Sequence, residues 1–370
     1  MRYPQLFLLL VAVLGILSGC RSSRDLEAFA RRHRGALNQA LGLEFKRWPS
    51  DATFLYLFNK AHLQEFGQVL QAWMVSQIPG GPYGLDQLVC DGKTLRGSAI
   101  ETEEGNHSFV SQVTVYTRAL GVALAQKAYD THESIERAAL KELLSSLDLE
   151  GVLIKADALH TTQSFFAGAT PSEKTVSTPR GRRAPDRHDE GFSQGVRQPE
   201  DPVPPDRLPV SGKVQDPIRG KRSREAPRSR HPLGTASQKA PEHIKTNWPG
   251  NAWIVEVITD TITRKDKRNV RRHLFLTSLR TTTKSLLRLI RQRWSFENEW
   301  HWARDVQLGE DFHRYANRIG APVFAFLRTI VMNLLRRAGY RSILQGEREL
   351  AYDIKGILAL GGVVTRTSSN

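Results

Sequence analysis

The sequence has few cysteines and no apolar run long enough to span a membrane. Its two cysteines, Cys20 and Cys90, lie in apolar sequence without a CxxC pair or a Cys/His cluster. Neither a disulfide framework nor a zinc site is therefore predicted. The apolar run over residues 6–17 has 12 residues, which is too short for a helix to cross a bilayer. A membrane-spanning helix is therefore not predicted from this run.

Acidic residues are scarce relative to basic ones. The 370 residues include 53 Lys and Arg against 38 Asp and Glu, which gives a formal net charge of +15. This balance favours a polyanionic partner, either nucleic acid or an anionic membrane surface. The hydrophobic fraction of 40% is enough for a real core, and the length allows two or three structural units.

The apolar run at the N-terminus has two interpretations. Small residues and then Cys20 follow it, as in an exported lipoprotein whose signal ends at a lipid-accepting cysteine. Only Arg2 precedes the run, whereas five arginines follow between residues 21 and 34, which is the wrong asymmetry for export. Taken alone, these residues leave open both an exported lipoprotein and a protein that begins with an apolar buried helix.

Hydrophobic periodicity predicts helices over residues 24–75 and strands after residue 80. The next strings are LDQLVCDGKTLRGS, with a strand ending at Asp91, and HSFVSQVTVYTRALGVALAQKAYD, with two strands joined at an Ala-Leu-Gly turn. A helix in THESIERAALKELLSSLDL and a strand in GVLIKADALH, which runs into Asp157, come after them. Two more strands, in WPGNAWIVEVITDTITR and RRHLFLTSLR, precede a helical pattern over residues 281–339.

Residues 167–240 differ in composition from the rest of the chain. They contain 11 of the 18 prolines and only nine Val, Ile, Leu or Phe, too few to form a core, so this stretch is predicted to be disordered. The predicted domains are a helical N-terminal domain, the first part of an α/β core, the Pro/Arg-rich insertion, the strands and glutamate-bearing helix that complete the core, and a tail. They cover residues 1–80, 81–166, 167–240, 241–340 and 341–370.

Three carboxylates at the ends or on the surfaces of predicted elements are candidate catalytic groups. Asp91 and Asp157 end strands, and a buried carboxylate seldom lacks a partner or a cation, because an isolated buried charge is costly. Glu297 lies on the predicted helix between basic residues. Carboxylates on two strands and a helix suggest metal-assisted phosphoryl chemistry, because Mg²⁺ prefers oxygen ligands. Solvated strand ends and a surface ion pair would produce the same patterns.

Basic residues concentrate before and around Glu297. Between residues 264 and 293 there are 11 Lys or Arg and a single acid, Asp266. A surface of this kind binds DNA phosphates with steep salt dependence, although a solvated charged face is the alternative. The candidate DNA contacts are Lys93, Arg96, Arg288, Arg291, Arg293 and Arg304.

Several motifs, taken in order, carry a family resemblance. They are DGKTLRGS, KADALHTTQ, WPGNAWIVEV, RQRWSFENEWHWARDVQLGEDFHRYAN and LRTIVMNLLRR. Together they resemble the H-repeat-associated (ISAs-type) insertion-sequence transposases of the DDE superfamily. The resemblance implies an α/β RNase H-like core, a mixed sheet with helices, behind a small helical N-terminal domain. It also implies a triad of Asp91, Asp157 and Glu297 that binds two Mg²⁺ ions, with Mn²⁺ as a substitute.

The resemblance also implies a function. It predicts metal-dependent cleavage and strand transfer of DNA, with the element's terminal inverted repeats and target DNA as partners and a homodimer in the synaptic complex. It favours a cytoplasmic, nucleoid-associated protein with no membrane partner, and hence a buried first helix over a lipoprotein signal. The Pro/Arg-rich stretch interrupts the family pattern, as an out-of-frame segment between two compensating frame changes would. A decayed, inactive copy that retains DNA binding is therefore an alternative.

Overall fold

The computed structural model shows a mixed α/β protein, as the sequence predicts. It describes residues 3–78, 85–103, 105–149, 151–160, 162, 165, 174–177, 227–247, 250–251, 253–263, 268–351 and 353–360. The chain divides into two compact units. The first unit consists of Met1–Leu85, Cys90–Asp148 and Glu299–Asn370, and the second unit consists of Asp86–Val89 and Leu149–Asn298.

The first unit begins with five helices. They are α1 (Gln5–Leu17), α2 (Ser23–Arg32), α3 (Arg34–Leu41), α4 (Asp51–Asn59) and α5 (Leu63–Ser76). A capping box starts α2: the Ser22 hydroxyl accepts the Asp25 N–H, and the Asp25 carboxylate accepts the Ser22 N–H. The sequence predicts one helix where the structure has α2 and α3, because their separation at His33 leaves the apolar spacing nearly unchanged.

The N-terminal apolar run forms α1, which is buried in the first unit. Its residues Leu8, Val11 and Leu17 have no exposed surface. A Cβ atom on Gly15 would lie 2.6 Å from Leu26 Cδ2, so glycine permits the close approach of α1 and α2. The run is therefore a packed helix, as the second interpretation predicts. Across the described parts of the chain, no helix combines the length and the apolar character needed to cross a membrane.

The strands of the first unit follow α5. β1 (Gln87–Thr94) belongs to both units, since Cys90–Thr94 lie in the first unit and the preceding residues in the second. It continues three residues past Asp91, where the sequence predicts its end. After the short strands β2 (Ile100–Glu101) and β3 (His107–Ser108), the antiparallel pair β4 (Val110–Thr117) and β5 (Val122–Asp130) confirms the predicted two strands, and α6 (Glu136–Ser145) confirms the predicted helix.

The second unit contains the first residues of β1 and several strands and helices of its own. In chain order it contains β6 (Leu153–Ala156), β7 (Lys174–Ser177), β8 (Pro227–Lys239), α7 (Glu242–Asn247), β9 (Trp253–Thr263), β10 (Arg268–Thr277) and α8 (Thr283–Phe296). β6 is parallel to both β1 and β7, whereas β10 is antiparallel to β7 and β9. Leu286, Leu287 and Ile290 of α8 pack with Val255 and Phe275 of the sheet in one buried cluster, which explains the helical apolar spacing.

Hydrogen bonding joins the eight longer strands in the order β5-β4-β1-β6-β7-β10-β9-β8. Two of them, β7 and β8, fall within residues 167–240, where the sequence predicts disorder, so that prediction does not hold for these strands. Pro227 and Pro232 are tolerated in β8 because it is the last strand in the order, and the register shifts at both prolines. The predicted disorder of residues 167–173 and 178–226 lies outside the described residues.

Helical structure resumes after α8. Two π-helical segments, Glu297–His301 and Ala303–Gln307, precede a short 3₁₀ turn and α9 (Gly320–Arg337). The sequence predicts an ordinary α-helix here, because a π-helical turn leaves no residue-type signal of its own. α10 (Ile343–Leu350) and α11 (Ile354–Leu360) lie in the predicted tail, and α10 starts at a Ser342 cap that accepts the Gln345 N–H.

Candidate active site

Asp91 is the candidate catalytic residue on β1. Its Oδ1 accepts the N–H of Gly92 at 3.1 Å, and its Oδ2 lies 3.5 Å from Nε2 of His301. The side chain is 22% exposed, so water or an ion can reach it from one side. These contacts give both carboxylate oxygens a defined orientation within the first unit.

The Glu136 carboxylate lies close to Gly92. A Cβ atom at this position would lie 2.0 Å from Oε2 of Glu136, the first residue of α6. The Glu136 carboxylate therefore packs against the β1 backbone next to Asp91, in the first unit. The sequence places Glu136 only in the first turn of a helix, where an acidic residue interacts favourably with the helix dipole.

Asp157 follows the last residue of β6, as predicted. Its Oδ1 accepts the N–H of Leu159 at 2.9 Å, and the same oxygen lies 4.0 Å from Nε2 of His160. The Asp157 side chain is 35% exposed and the His160 side chain is 1% exposed. A partly exposed carboxylate beside a buried imidazole is a plausible ligand pair for a divalent ion, and both belong to the second unit.

Glu297 directly follows α8 and begins the first π-helical segment. Its side chain is exposed, as a residue that binds an ion or a substrate requires. π-helical turns occur often at functional sites. Asp157 and Glu297 both belong to the second unit, whereas Asp91 belongs to the first.

Lys93 and Arg96, two of the predicted DNA contacts, form ion pairs in the first unit. Lys93 Nζ pairs with Asp305 and lies 3.4 Å from Asp311, and its side chain is only 9% exposed. Arg96 is exposed, and its Nη1 lies 3.2 Å from Asp311 Oδ2. Lys93 is thus occupied by acidic neighbours, while Arg96 is accessible at the surface.

Arg304, another predicted DNA contact, is fully buried. Its Nη2 donates to Glu310 Oε1 at 2.6 Å and to the carbonyl oxygen of Ala325 at 3.2 Å. Arg328 also faces Glu310, with 3.8 Å between its Nη1 and Oε1. The Arg304 guanidinium lies in the interior, where the buried Glu310 carboxylate neutralises its charge. It does not lie at a surface that DNA could contact.

The remaining predicted DNA contacts lie on α8. Arg288 is exposed, and Arg291 and Arg293 are half-buried. The apolar residues of the same helix pack on the sheet. An amphipathic helix usually has an apolar face of this kind and a separate polar face. Of the three, Arg288 is the most accessible to a phosphate.

Sequence reasoning places His301 on one helix face with Glu297 and places Glu310 among the acids near it, but it predicts neither residue's contacts and misses Arg328. His301 falls four residues after Glu297, and its helical spacing alone gave no reason to place it beside Asp91. Glu310 and Arg328 form the buried charge cluster with Arg304. A signal for Arg328 exists in the string APVFAFLRTIVMNLL, where a single charge interrupts an otherwise uncharged, mostly apolar helix.

Comparison with known proteins identifies related sequences. Residues 1–74 match the family model described as DDE_Tnp_1-associated. Over 340 residues the chain is 23% identical to YncI of Escherichia coli O157:H7, named a putative transposase, with 89% of this chain and 81% of YncI aligned. It is also 23% identical over 340 residues to YhhI of Escherichia coli K12, named an H repeat-associated putative transposase, with 89% and 84% aligned. These matches confirm the resemblance to insertion-sequence transposases of the DDE superfamily.

A solved structure is also similar to this chain. It is the piggyBac transposase in a synaptic complex with hairpin DNA, with 8% sequence identity and a TM-score of 0.45. The similarity covers 98% of this chain and 73% of that protein.

Proposed function

We propose that this chain is an insertion-sequence transposase that cleaves DNA strands and transfers them to a target with the help of divalent metal ions. Asp91, Asp157 and Glu297 are its catalytic and metal-binding residues. The sequence similarity to transposases and the net charge of +15 support a DNA substrate.

The register of β1 and β6 carries this proposal. These strands are parallel neighbours, and Val89 pairs with Lys155. Asp91 follows Val89 by two residues, and Asp157 follows Lys155 by two residues. Because side chains two residues apart in a strand point to the same face, equal spacing from a paired position supports a shared role for the two aspartates.

A contact in the second unit supports the inclusion of Glu297. Lys155 Nζ, two residues before Asp157, lies 3.4 Å from Oε1 of Gln292 on α8. Glu297 follows Gln292 by five residues along the same helix. α8 therefore contacts β6 two residues before Asp157.

The sheet supports an RNase H-like core behind a helical N-terminal domain. Three parallel strands, β1, β6 and β7, are next to the antiparallel pair β4 and β5 in the strand order. Ligand-binding carboxylates at the carboxyl ends of parallel strands are typical of α/β sheets. We assign residues 1–80 to the N-terminal domain, and residues 81–166 and 241–340 to the core.

The chemistry of the donor groups fits Mg²⁺ or Mn²⁺. Carboxylate oxygens are the preferred ligands of these hard ions, and all three proposed residues supply them. When bound, a pair of such ions would activate a water or a 3′-hydroxyl and stabilise the leaving oxygen. The Gly92 N–H holds one oxygen of Asp91, and the Leu159 N–H holds one oxygen of Asp157. These bonds fix the two carboxylates before an ion binds.

DNA contacts are assigned to the exposed basic residues. We propose that Arg288 contacts phosphates directly and that Arg96, Arg291 and Arg293 contribute where the DNA approaches the site. Lys93 and Arg304, which the sequence also predicts, are assigned to the ion pairs with acidic side chains. We further propose a homodimer that brings two element ends together in the cytoplasm, beside the nucleoid.

The purified full-length chain and duplex DNA that carries the terminal inverted repeats of its own element provide the test. Strand cleavage is expected with Mg²⁺ or Mn²⁺ and not with EDTA. Specific binding without cleavage under either metal would identify an inactive copy that only binds DNA. Failure to prefer the terminal repeats over unrelated duplex would contradict the proposed substrate.

A further inference from the structure

His301 lies against the proposed catalytic aspartate of β1. Its Nε2 is 3.5 Å from Asp91 Oδ2, and both residues belong to the first unit. The imidazole is buried, with 7% of the side chain exposed, whereas the Asp91 carboxylate is 22% exposed. A buried nitrogen thus faces a carboxylate oxygen that remains reachable from solvent.

The distance suits two ligands of one ion better than a hydrogen bond. Hydrogen bonds between nitrogen and oxygen cluster near 2.9 Å and weaken well before 3.5 Å. Two adjacent ligands that each lie about 2.1 Å from a divalent ion are separated by about 3.0–3.4 Å, depending on the angle between them. The observed separation is close to that range.

The geometry around both groups favours a shared ion. The second oxygen of Asp91 accepts the Gly92 N–H at 3.1 Å, which orients Oδ2 towards His301. His301 ends a π-helical turn whose neighbouring residue, Trp300, is fully buried and packs on Tyr116 with 5.4 Å between ring centroids. This packing limits the movement of the backbone that carries His301.

We propose that His301 is a nitrogen ligand that binds the divalent ion together with Asp91. This inference rests on the proposed function, because it adds a ligand to the same metal site. An imidazole ligand strengthens binding of Mn²⁺ relative to Mg²⁺, since Mg²⁺ prefers oxygen donors. The site is therefore selective for Mn²⁺ over Mg²⁺ to a degree that carboxylates alone would not give.

Electron spin-echo spectroscopy of Mn²⁺ bound to the full-length protein tests the assignment, because it detects nitrogen coupled to the ion. The wild-type protein is expected to show coupling to an imidazole ¹⁴N, and ¹⁵N-histidine labelling is expected to replace it. His301→Asn is expected to lose the coupling and to weaken Mn²⁺ binding by about 10-fold or more. His62→Asn, which changes an exposed histidine directly before α5, is expected to retain it.

The outcomes separate this inference from the proposed function. Mn²⁺ binding that depends on Asp91 but shows no nitrogen coupling overturns the role of His301 and leaves the carboxylate site intact. Coupling of undiminished intensity in His301→Asn, or its loss in His62→Asn, also overturns it. An absence of Mn²⁺ binding contradicts the metal site itself, and with it the proposed function. Thermal unfolding of each variant establishes that it is folded before the ion is added.

Discussion

The Arg304 guanidinium lies 2.6 Å from the Glu310 carboxylate, and the two side chains are 0% and 2% exposed. Burial alone raises the pKa of Glu310, but the positive charges of Arg304, Arg328 and Lys93 outweigh it, so the net effect lowers the pKa. Glu310 is therefore ionised in the folded protein. The pair stabilises the first unit, and removing one partner leaves the other charge without full compensation.

Arg304→Met should lower the free energy of unfolding by about 3–5 kcal/mol, the usual cost of breaking a buried ion pair. The triple variant Arg304→Met/Glu310→Leu/Arg328→Met should lose clearly less, because it removes all three charges of the buried cluster together. Urea denaturation measures both. Arg337→Met, a change at an exposed arginine of α9, serves as the control and should alter stability by less than about 0.5 kcal/mol. A loss in Arg304→Met no larger than in this control would contradict the structural role of Arg304.

His313 should make stability depend on pH between about 6.5 and 4. Burial and the nearby charge of Arg328 lower the pKa of His313 to about 4, whereas an unfolded histidine has a pKa of about 6.5. Between these values only the unfolded chain binds the proton, so stability falls as the pH falls. The contribution is complete above pH 6.5, and about 2 kcal/mol of it should be lost by pH 5.

His313→Phe isolates this effect. The His313 ring stacks on Phe324 with 4.7 Å between centroids, and phenylalanine can preserve that contact without a titrating group. Urea denaturation of both proteins at pH 7.5, 6 and 5 should show a steeper decline in the wild-type protein. Parallel declines would show that His313 does not titrate as stated.

Gly97 should tolerate no side chain. A Cβ atom there would lie 1.7 Å from the carbonyl oxygen of His313 and 3.0 Å from Cα of Arg314, so the backbone itself would have to move. Gly97→Ala should therefore lower the free energy of unfolding by about 1–3 kcal/mol. Gly35→Ala, in α3, meets no atom within 4 Å and should raise stability slightly, by about 0.4–1 kcal/mol. Equal effects of the two changes would argue against this backbone contact.

Arg288 should contribute to DNA binding through a phosphate. Its side chain is exposed on α8. A variant without this arginine neutralises one phosphate fewer, so the slope of log affinity against log salt concentration should be smaller by about 0.9. Arg288→Ala and the control Arg337→Ala can be compared by fluorescence anisotropy over a range of salt concentrations. Identical slopes for the two variants would remove Arg288 from the DNA-binding surface.

Local sequence patterns predicted most of the regular elements. The helices before residue 76, the pair β4 and β5, and the strands β9 and β10 follow from the pattern of apolar residues. The helices bury one face, whereas β4 is buried at all eight positions. β7 and β8 could not be predicted. Both strands form through backbone pairing, β7 with β6 and β10, and β8 with β9. A proline-rich composition gives no indication of such partners. The short helices α10 and α11 carry too few residues for a clear period.

The two aspartates of the candidate site could be predicted from their positions in the sequence. Asp91 and Asp157 could be singled out because each is a carboxylate in or beside an apolar strand. The environments of Lys93 and Arg304 could not be predicted. Lys93 pairs with Asp305 and Arg304 with Glu310, and these contacts depend on how the chain folds. The contact between His301 and Asp91 could not be predicted for the same reason.

Cleavage by carboxylate variants tests the central claim most directly. Asp91→Asn, Asp157→Asn and Glu297→Gln preserve side-chain shape and remove the negative charge that a metal ion needs. Glu65→Gln, which changes an exposed glutamate in the first turn of α5, is the control. With terminal-repeat DNA and Mg²⁺ or Mn²⁺, each of the three variants should bind DNA yet cleave at least about 100-fold more slowly than the wild-type protein, while the control cleaves normally. Wild-type cleavage that persists undiminished in any one of the three variants would contradict the assignment of this triad.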